Sequence, residues 1–341
     1  MAEREVLADE LRPRAPIIAR AEGGMDNRLA RYLAVLSGDG HLVSASTATL
    51  TWGQFHDVVL AGDVAYRFPR DEESRRRLPD RVALLTALDR CQLPVTIPDP
   101  LDTGHVDRPV GDCYLAVRRL RGEPPAPGPG VAERALPTLV SQFAGMLDEL
   151  TALGQVPAVR RAVPRAESDH WAQWCEQVRR VLFPLMSASG RRRAEAELAA
   201  VMTVAAVGDA LVHGDLGGSN LLLATRDAGA VVTGVLDWDE ASIGNQACDL
   251  ASLAVTFGWP VADRIEAVRR ASRVDPADRA GPAGQTRPED QAGREGRARP
   301  EGRPMGDEAR LIAATFALQQ ALPGALSGDA ESLDDGLSEY R

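Results

Sequence analysis

Apolar positions recur every three to four residues at Leu29, Tyr32, Leu33 and Leu36, the spacing of one helical face, so MDNRLARYLAVLS is predicted as a helix. From residue 41 to 69 the period shortens towards two, through HLVSASTATLTWGQF and HDVVLAGDVAYRFP, and Ala61-Gly62-Asp63 reads as a hairpin turn between strands. DEESRRRLPDRVALLTAL follows as a helix, with a break expected at Pro79, and QLPVTIP and CYLAVRRL as two further strands. RGEPPAPGPG is a Pro/Gly-rich joint. Beyond it, LPTLVSQFAGMLDELTAL and AESDHWAQWCEQVRRVLFPLM return to helical spacing. Next, LLLAT and VVTGVL flank a turn at Arg226-Asp227-Ala228-Gly229, and ACDLASLAVTFGW is helical again. A last helix over DEARLIAATFALQQAL precedes an acidic tail, SGDAESLDDGLSEYR. The order predicts an α+β chain of two lobes: a leader and helix over 1–40, a small β-rich lobe over 41–120, and a larger, mainly helical lobe over 121–341.

Composition adjusts this outline in a few places. Residues 272–305 are almost wholly Arg, Gly, Pro, Ala and acids, too little apolar surface to offset chain entropy, and are expected to be a disordered insert. Met25 offers an alternative start that would leave the first 24 residues as a leader. No apolar run approaches the roughly 18 residues of a membrane helix, the first twenty residues lack a signal-peptide core, and the four cysteines form no C-x-x-C pair. These features point to a cytoplasmic chain without a zinc site or disulfide framework. The formal charge of -10 disfavours nucleic acid and suits a cationic small-molecule partner; a monomer or homodimer is equally compatible. All 39 basic residues are arginine, so any step that needs a fixed cation must use a guanidinium.

The candidate chemistry lies in LVHGDLGGSN and VLDWDE. H-G-D-x-x-x-x-N follows one strand and precedes a hairpin whose far end carries the second motif. The layout therefore brings Asp215, Asn220 and Asp237 together from two loops. Phosphoryl transfer uses such a set: one carboxylate accepts the proton of an attacking hydroxyl, while an amide and a second carboxylate hold magnesium on nucleotide phosphates. Each residue alone would read as a turn or cap; the joint spacing argues otherwise. Gly217 and Gly218 allow a tight bend, and His213 is read as a structural lock on the loop.

These motifs, with VLDWDEASIGNQACDLA, resemble the aminoglycoside phosphotransferase family, small-molecule kinases with a protein-kinase-like fold. GQFHDVVL, RVLFPLMSASGRRRAEAELAAV and FALQQAL…DGLSEYR resemble its subgroup that acts on tuberactinomycin peptides such as viomycin or capreomycin. The resemblance implies a bilobal kinase-like fold that uses ATP or GTP and Mg2+ to phosphorylate a hydroxyl of a cationic peptide or aminoglycoside antibiotic. It implies Asp215 as the catalytic aspartate, Asn220 and Asp237 as magnesium ligands, and Asp249 as a brace for the catalytic loop. Gly53 falls where a phosphate-covering hairpin turns, and Val117, Arg118, Arg119 and Leu120 fall at the hinge where backbone groups pair with adenine.

Two departures stand out. Arg67 replaces the family's phosphate-gripping strand lysine, and Arg81 replaces its helix glutamate, so Arg67 has another partner, such as Asp80 or Glu73, or none. Asp239 and Glu240, beside the cleft, are the carboxylates expected to meet a cationic substrate, ahead of the acidic tail. Trp171 and Trp174 read as core. A metabolic kinase for an alcohol or sugar, and a non-catalytic drug-binding pseudokinase, are the competing readings.

Overall fold

Alternation along one strand organises the small lobe. In β3 (Val64–Pro69), Tyr66 and Phe68 point to one face of the sheet, and Ala65 and Arg67 to the other. Tyr66 and Phe68 share a buried cluster with Leu50, Val59, Tyr114 and Ala116 of the sheet, and with Leu29, Tyr32 and Leu36 of α1 (Asn27–Gly38). Burying each of the leucine, valine and phenylalanine side chains among them stabilises the packing by roughly 1.5–3 kcal/mol. The opposite face, with Ala65, Leu115 and Val117, packs on Leu78, Leu84, Leu85 and Leu88 of α2 (Glu72–Asp89). The sheet comprises β1 (Thr49–Trp52), β2 (His56–Ala61), β3, β4 (Pro100–Asp102) and β5 (Leu115–Arg118) in the order β1-β2-β3-β5-β4, antiparallel throughout. Gly62, at φ 59°, closes the β2–β3 hairpin where the sequence places a turn.

This computed structural model describes residues 27–53, 55–91, 93–104, 106–125, 136–226, 229–273 and 303–341. The expected leader, and the expected insert apart from its ends, lie outside the described residues. At those ends, residues 272 and 273 finish α8, while Arg303 and Pro304 lead without helix into Met305, which opens α9.

The large lobe is built on α3 (Leu136–Leu153), α4 (Pro157–Ala162), α5 (His170–Val181), α6 (Ala188–Val201), α7 (Ala247–Phe257), α8 (Trp259–Arg273) and α9 (Met305–Ala313). Two helices close the chain, α10 (Phe316–Ser327) and α11 (Ala330–Leu337). Trp171 is buried in this core and Trp174 packs against it, as expected. Two small antiparallel ladders complete the lobe: β6 (Ala210–Val212) with β9 (Ser242–Gly244), and β7 (Leu221–Arg226) with β8 (Gly229–Val235).

Three expectations change, and the acidic tail gains a defined structure. Pro79 sits inside α2 without ending it, because the helix buries Leu78, Arg81, Leu84 and Leu85 on both sides of the ring. The described part of QLPVTIP, residues 93–98, forms no strand; Thr96 makes only an isolated bridge to Gly234, and the neighbouring strand is β4. The last predicted helix is two, divided at Ala314-Thr315. The acidic tail is ordered: Asp329 caps α11, Asp334 pairs with Arg341 at 2.6 Å, Glu339 pairs with Arg193, and the Tyr340 hydroxyl donates to Glu197 at 2.6 Å. Among the described residues no helix is long and apolar enough to cross a membrane.

Candidate active site

Strand pairing at both ends forces the two motif loops together. The first loop runs from β6 to β7 and the second from β8 to β9. Val212 of β6 pairs with Ser242 of β9, and Leu221 of β7 pairs with Val235 of β8. Each loop therefore starts beside the strand on which the other ends. The β7–β8 pairing continues one step into the loops, where the Leu236 N–H donates to the Asn220 carbonyl at 2.7 Å.

Backbone hydrogen bonds hold the first loop. Asp249, buried at the start of α7, accepts from the N–H groups of His213 at 3.1 Å and Gly214 at 3.0 Å. Burial pushes its carboxyl up to about 7, against the pull of those two donors. His213 is fully buried over Trp238 and uses both ring nitrogens: Nδ1 accepts from the Asp215 N–H at 3.2 Å, so Nε2 donates to the Leu236 carbonyl at 2.8 Å. Burial lowers its pKa and keeps it neutral, which leaves it no spare nitrogen for proton transfer. Gly214 sits at φ 92°, and a Cβ there would lie 2.7 Å from the Glu240 carbonyl oxygen. Thr256, which sequence reasoning missed, accepts the Gly218 N–H at 2.8 Å.

Asp215 stands at the mouth of this frame. Asn220 donates through Nδ2 to its carboxylate at 2.7 Å and to its carbonyl at 3.1 Å. The carboxylate reaches solvent, yet the cleft walls crowd it on its other sides. That desolvation, then repulsion from Asp237, pushes it up to about 6 while the Asn220 hydrogen bond pulls it down. It is thus ionised at neutral pH and able to accept a proton. With its side-chain nitrogen committed, Asn220 has its side-chain oxygen Oδ1 left to bind a cation. Asp237, the one non-glycine residue at positive φ (55°) among the described residues, holds its carboxylate half-exposed on the second loop. An amide oxygen and a carboxylate suit a hard ion such as Mg2+, which completes its shell with water and substrate phosphates. Among the described residues no group of three or more His, Cys, Asp or Glu could bind a metal by itself, so phosphates would have to share in holding one.

Above Asp237 the arrangement departs from expectation. Neither Asp80 nor Glu73 partners Arg67; Glu73 pairs with Arg77 at 2.7 Å. Arg67 reaches instead across to the large lobe, where Nη2 donates to Asp237 Oδ1 at 2.7 Å and Asp239 Oδ2 at 2.8 Å. Burial pulls the Arg67 pKa down, and the two carboxylates more than reverse this. Asp239 is therefore turned away from the expected substrate role. Its side chain is only 10% exposed and also meets His56 Nδ1 at 3.0 Å. Arg81 donates to its main-chain carbonyl. Burial would raise the Asp239 carboxyl, but Arg67, His56 and Arg81 hold it well below the usual carboxylate range. His56 was not anticipated, although strand register could have found it: Arg67 pairs with Val58, which makes His56 a diagonal neighbour on the same face.

Glu240 keeps an exposed carboxylate, 3.6 Å from Arg77. The expected hinge shifts along the chain. Val117 and Arg118 lie within β5, and the N–H groups of Arg118 and Arg119 are spent on Asp99 and Asp63, at 2.9 and 2.8 Å. The chain crosses to the large lobe through Leu120 to Glu123, where Glu123 bridges to Leu223. Gly53 closes the β1–β2 turn by donating to the His56 carbonyl at 2.8 Å.

Known proteins resemble this chain in sequence and in fold. Viomycin phosphotransferase of Streptomyces vinaceus is 35% identical over 289 residues, spanning 85% of this chain and 91% of that protein. Two solved structures share the fold at lower identity. The GDP complex of wild-type aminoglycoside 2′-phosphotransferase-IIIa superposes with a TM-score of 0.69 at 21% identity, over 92% of this chain and 97% of its own. Macrolide 2′-phosphotransferase type I does so with 0.64 at 19%, over 94% and 99%. The profile of the phosphotransferase enzyme family matches residues 48–284, and the chain belongs to that family.

Proposed function

We propose that this protein inactivates a cationic antibiotic by moving the γ-phosphate of ATP or GTP onto one of its hydroxyl groups, with a tuberactinomycin peptide such as viomycin or capreomycin as the leading acceptor and an aminoglycoside as the next. The observation that carries the reading is the pairing of Asp215 with Asn220, 2.7 Å apart, on a loop stitched to the Asp237 turn. The 35% identity with viomycin phosphotransferase supports the choice of acceptor. The Asp215 carboxylate orients the acceptor hydroxyl and takes its proton as the hydroxyl oxygen bonds to the γ-phosphorus. The bond from that phosphorus to the β–γ bridging oxygen breaks, and the nucleoside diphosphate leaves with the electron pair. Magnesium, held by Asn220 and Asp237, would offset negative charge on the phosphates. Arg67 adds a second positive charge beside that position. A phosphoryl dianion on the drug then opposes the positive charge with which it binds anionic RNA.

The test is to incubate the protein with magnesium, ATP or GTP and, in parallel, viomycin, capreomycin, kanamycin and a neutral sugar, and to read the acceptor mass. One added phosphoryl group on a peptide antibiotic is the expected result. Preferred transfer to the neutral sugar would make the protein a metabolic kinase. Tight drug binding without any adduct would make it a non-catalytic binder.

A further inference from the structure

We propose that Asp239 is the positioning residue for Arg67: a carboxylate from the large lobe fixes where the small lobe's phosphate-facing cation stands. The inference deepens the proposed function and rests on its assignment of phosphate binding to this cleft.

Arg67 lies on β3 and Asp239 on the turn between β8 and β9, so the contact spans 172 residues. Among the described residues no small-lobe carboxylate supplies the counter-charge; both ion-pair partners of Arg67, Asp237 and Asp239, come from the large lobe. The helix that packs against this face of the sheet, α2, contributes a second cation: Arg81, buried with Nε and Nη1 lacking any hydrogen-bond partner. Its nearest carboxylate oxygen is Asp239 Oδ1, 3.6 Å from Nε, beyond hydrogen-bond range. His56, from β2, completes a ring of three nitrogen-bearing side chains about one carboxylate, at 3.0 Å. Two acids at this end of α2 are committed elsewhere: Asp71 caps the helix by accepting the Ser74 N–H at 2.7 Å, and Glu73 pairs with Arg77 at 2.7 Å.

Asp237 also touches Arg67, but its side chain is 44% exposed against 10% for Asp239, and it faces the magnesium position. A contact that must be shared with an incoming cation cannot anchor the guanidinium through the reaction cycle. The buried carboxylate can. Arg67 then keeps its location when Asp237 turns to other ligands, and its grip on phosphate exists only while β3 and the Asp239 turn are docked.

The test measures nucleotide binding without an acceptor. Calorimetry, with magnesium present, gives the preference of each protein for ATP over adenosine and for GTP over guanosine. Arg67→Met is expected to reduce the triphosphate preference by roughly 10- to 100-fold, the worth of one charge-assisted contact. Asp239→Asn should lose a similar factor with nucleoside affinity unchanged, and the double variant should lose no more than either single one. His56→Gln and Arg81→Met, which slacken Asp239 from two sides, are each expected to lose a smaller part of the preference. They carry the test should Asp239→Asn fail to fold by circular dichroism. The proposal is overturned if Asp239→Asn keeps the wild-type preference while Arg67→Met loses it, if the two losses add in the double variant, or if Arg67→Met changes nothing. A wild-type protein with no triphosphate preference would overturn it too. Failure of antibiotic turnover alone, with that preference intact, would instead count against the acceptor assignment.

Discussion

The catalytic loop and the small-lobe ion cluster solve the same problem, the placing of one charged group, by opposite means. The loop places Asp215 with hydrogen bonds to its own backbone: Asp249 takes two consecutive N–H groups, and His213 takes the next through its ring. Those donors exist whatever the side chains are, so the geometry follows from a short motif. The cluster places Arg67 with side chains drawn from β2, β3, α2 and the Asp239 turn, at separations of 170 and 172 residues for its two ion pairs. Such a set can exchange charges between positions and still balance. Here the helix carries arginine and the carboxylate comes from the other lobe.

The largest expected effects separate the two regions. Asp215→Ala should lower kcat by roughly 10³-fold, as loss of a positioned general base does, with the melting temperature little changed because the one loop contact of the carboxylate, from Asn220 Nδ2, is solvent-exposed and Asn220 keeps the Asp215 carbonyl. An unimpaired variant in a coupled phosphate-transfer assay would remove Asp215 from the mechanism. Asp249→Ala should do the reverse in kind: two buried N–H groups lose their acceptor, for a loss of about 2–4 kcal/mol in denaturant unfolding, and activity falls with the loop's order. If stability drops while kcat/KM holds, the brace does not place Asp215.

A smaller effect is expected at Arg67. One nitrogen, Nη2, makes both carboxylate contacts, so an ammonium could satisfy the same pair from slightly further away. Arg67→Lys should therefore raise the nucleotide KM by only roughly 3- to 10-fold, clearly less than Arg67→Met. Equal losses for Lys and Met in steady-state kinetics would mean that the planar fork, and not the charge, is what the cluster holds.

This contrast also explains what could be read in the sequence. The H-G-D-x-x-x-x-N loop, the VLDWDE turn and the hairpin between them were legible because local spacing and strand pairing determine them. The two-lobed order and α1 were legible through periodicity. Asp239 was misread as a substrate carboxylate because its partners, His56, Arg67 and Arg81, are distant in sequence. Cross-strand diagonals would have exposed only the first of them. The contacts of the acidic tail were illegible for a related reason: Glu339 pairs with Arg193, Asp334 with Arg341, and Leu337 and Tyr340 are buried, none of which composition alone reveals.

Glu240 belongs to both regions and gives the finest test of the comparison. Its main chain closes over Gly214, leaving no room for a Cβ there, while its carboxylate stands exposed 3.6 Å from Arg77 of α2. If the exposed carboxylate serves the acceptor, Glu240→Gln should raise the KM for a cationic antibiotic by roughly 2- to 5-fold, the worth of one solvent-screened ion pair. The effect should shrink as salt is raised, because an exposed pair is screened within about 10 Å at moderate ionic strength. The nucleotide KM should stay where it is. A shift in nucleotide KM instead would place Glu240 with Arg77 in the small-lobe cluster, extending the ion network outward and leaving drug recognition to other carboxylates of the cleft.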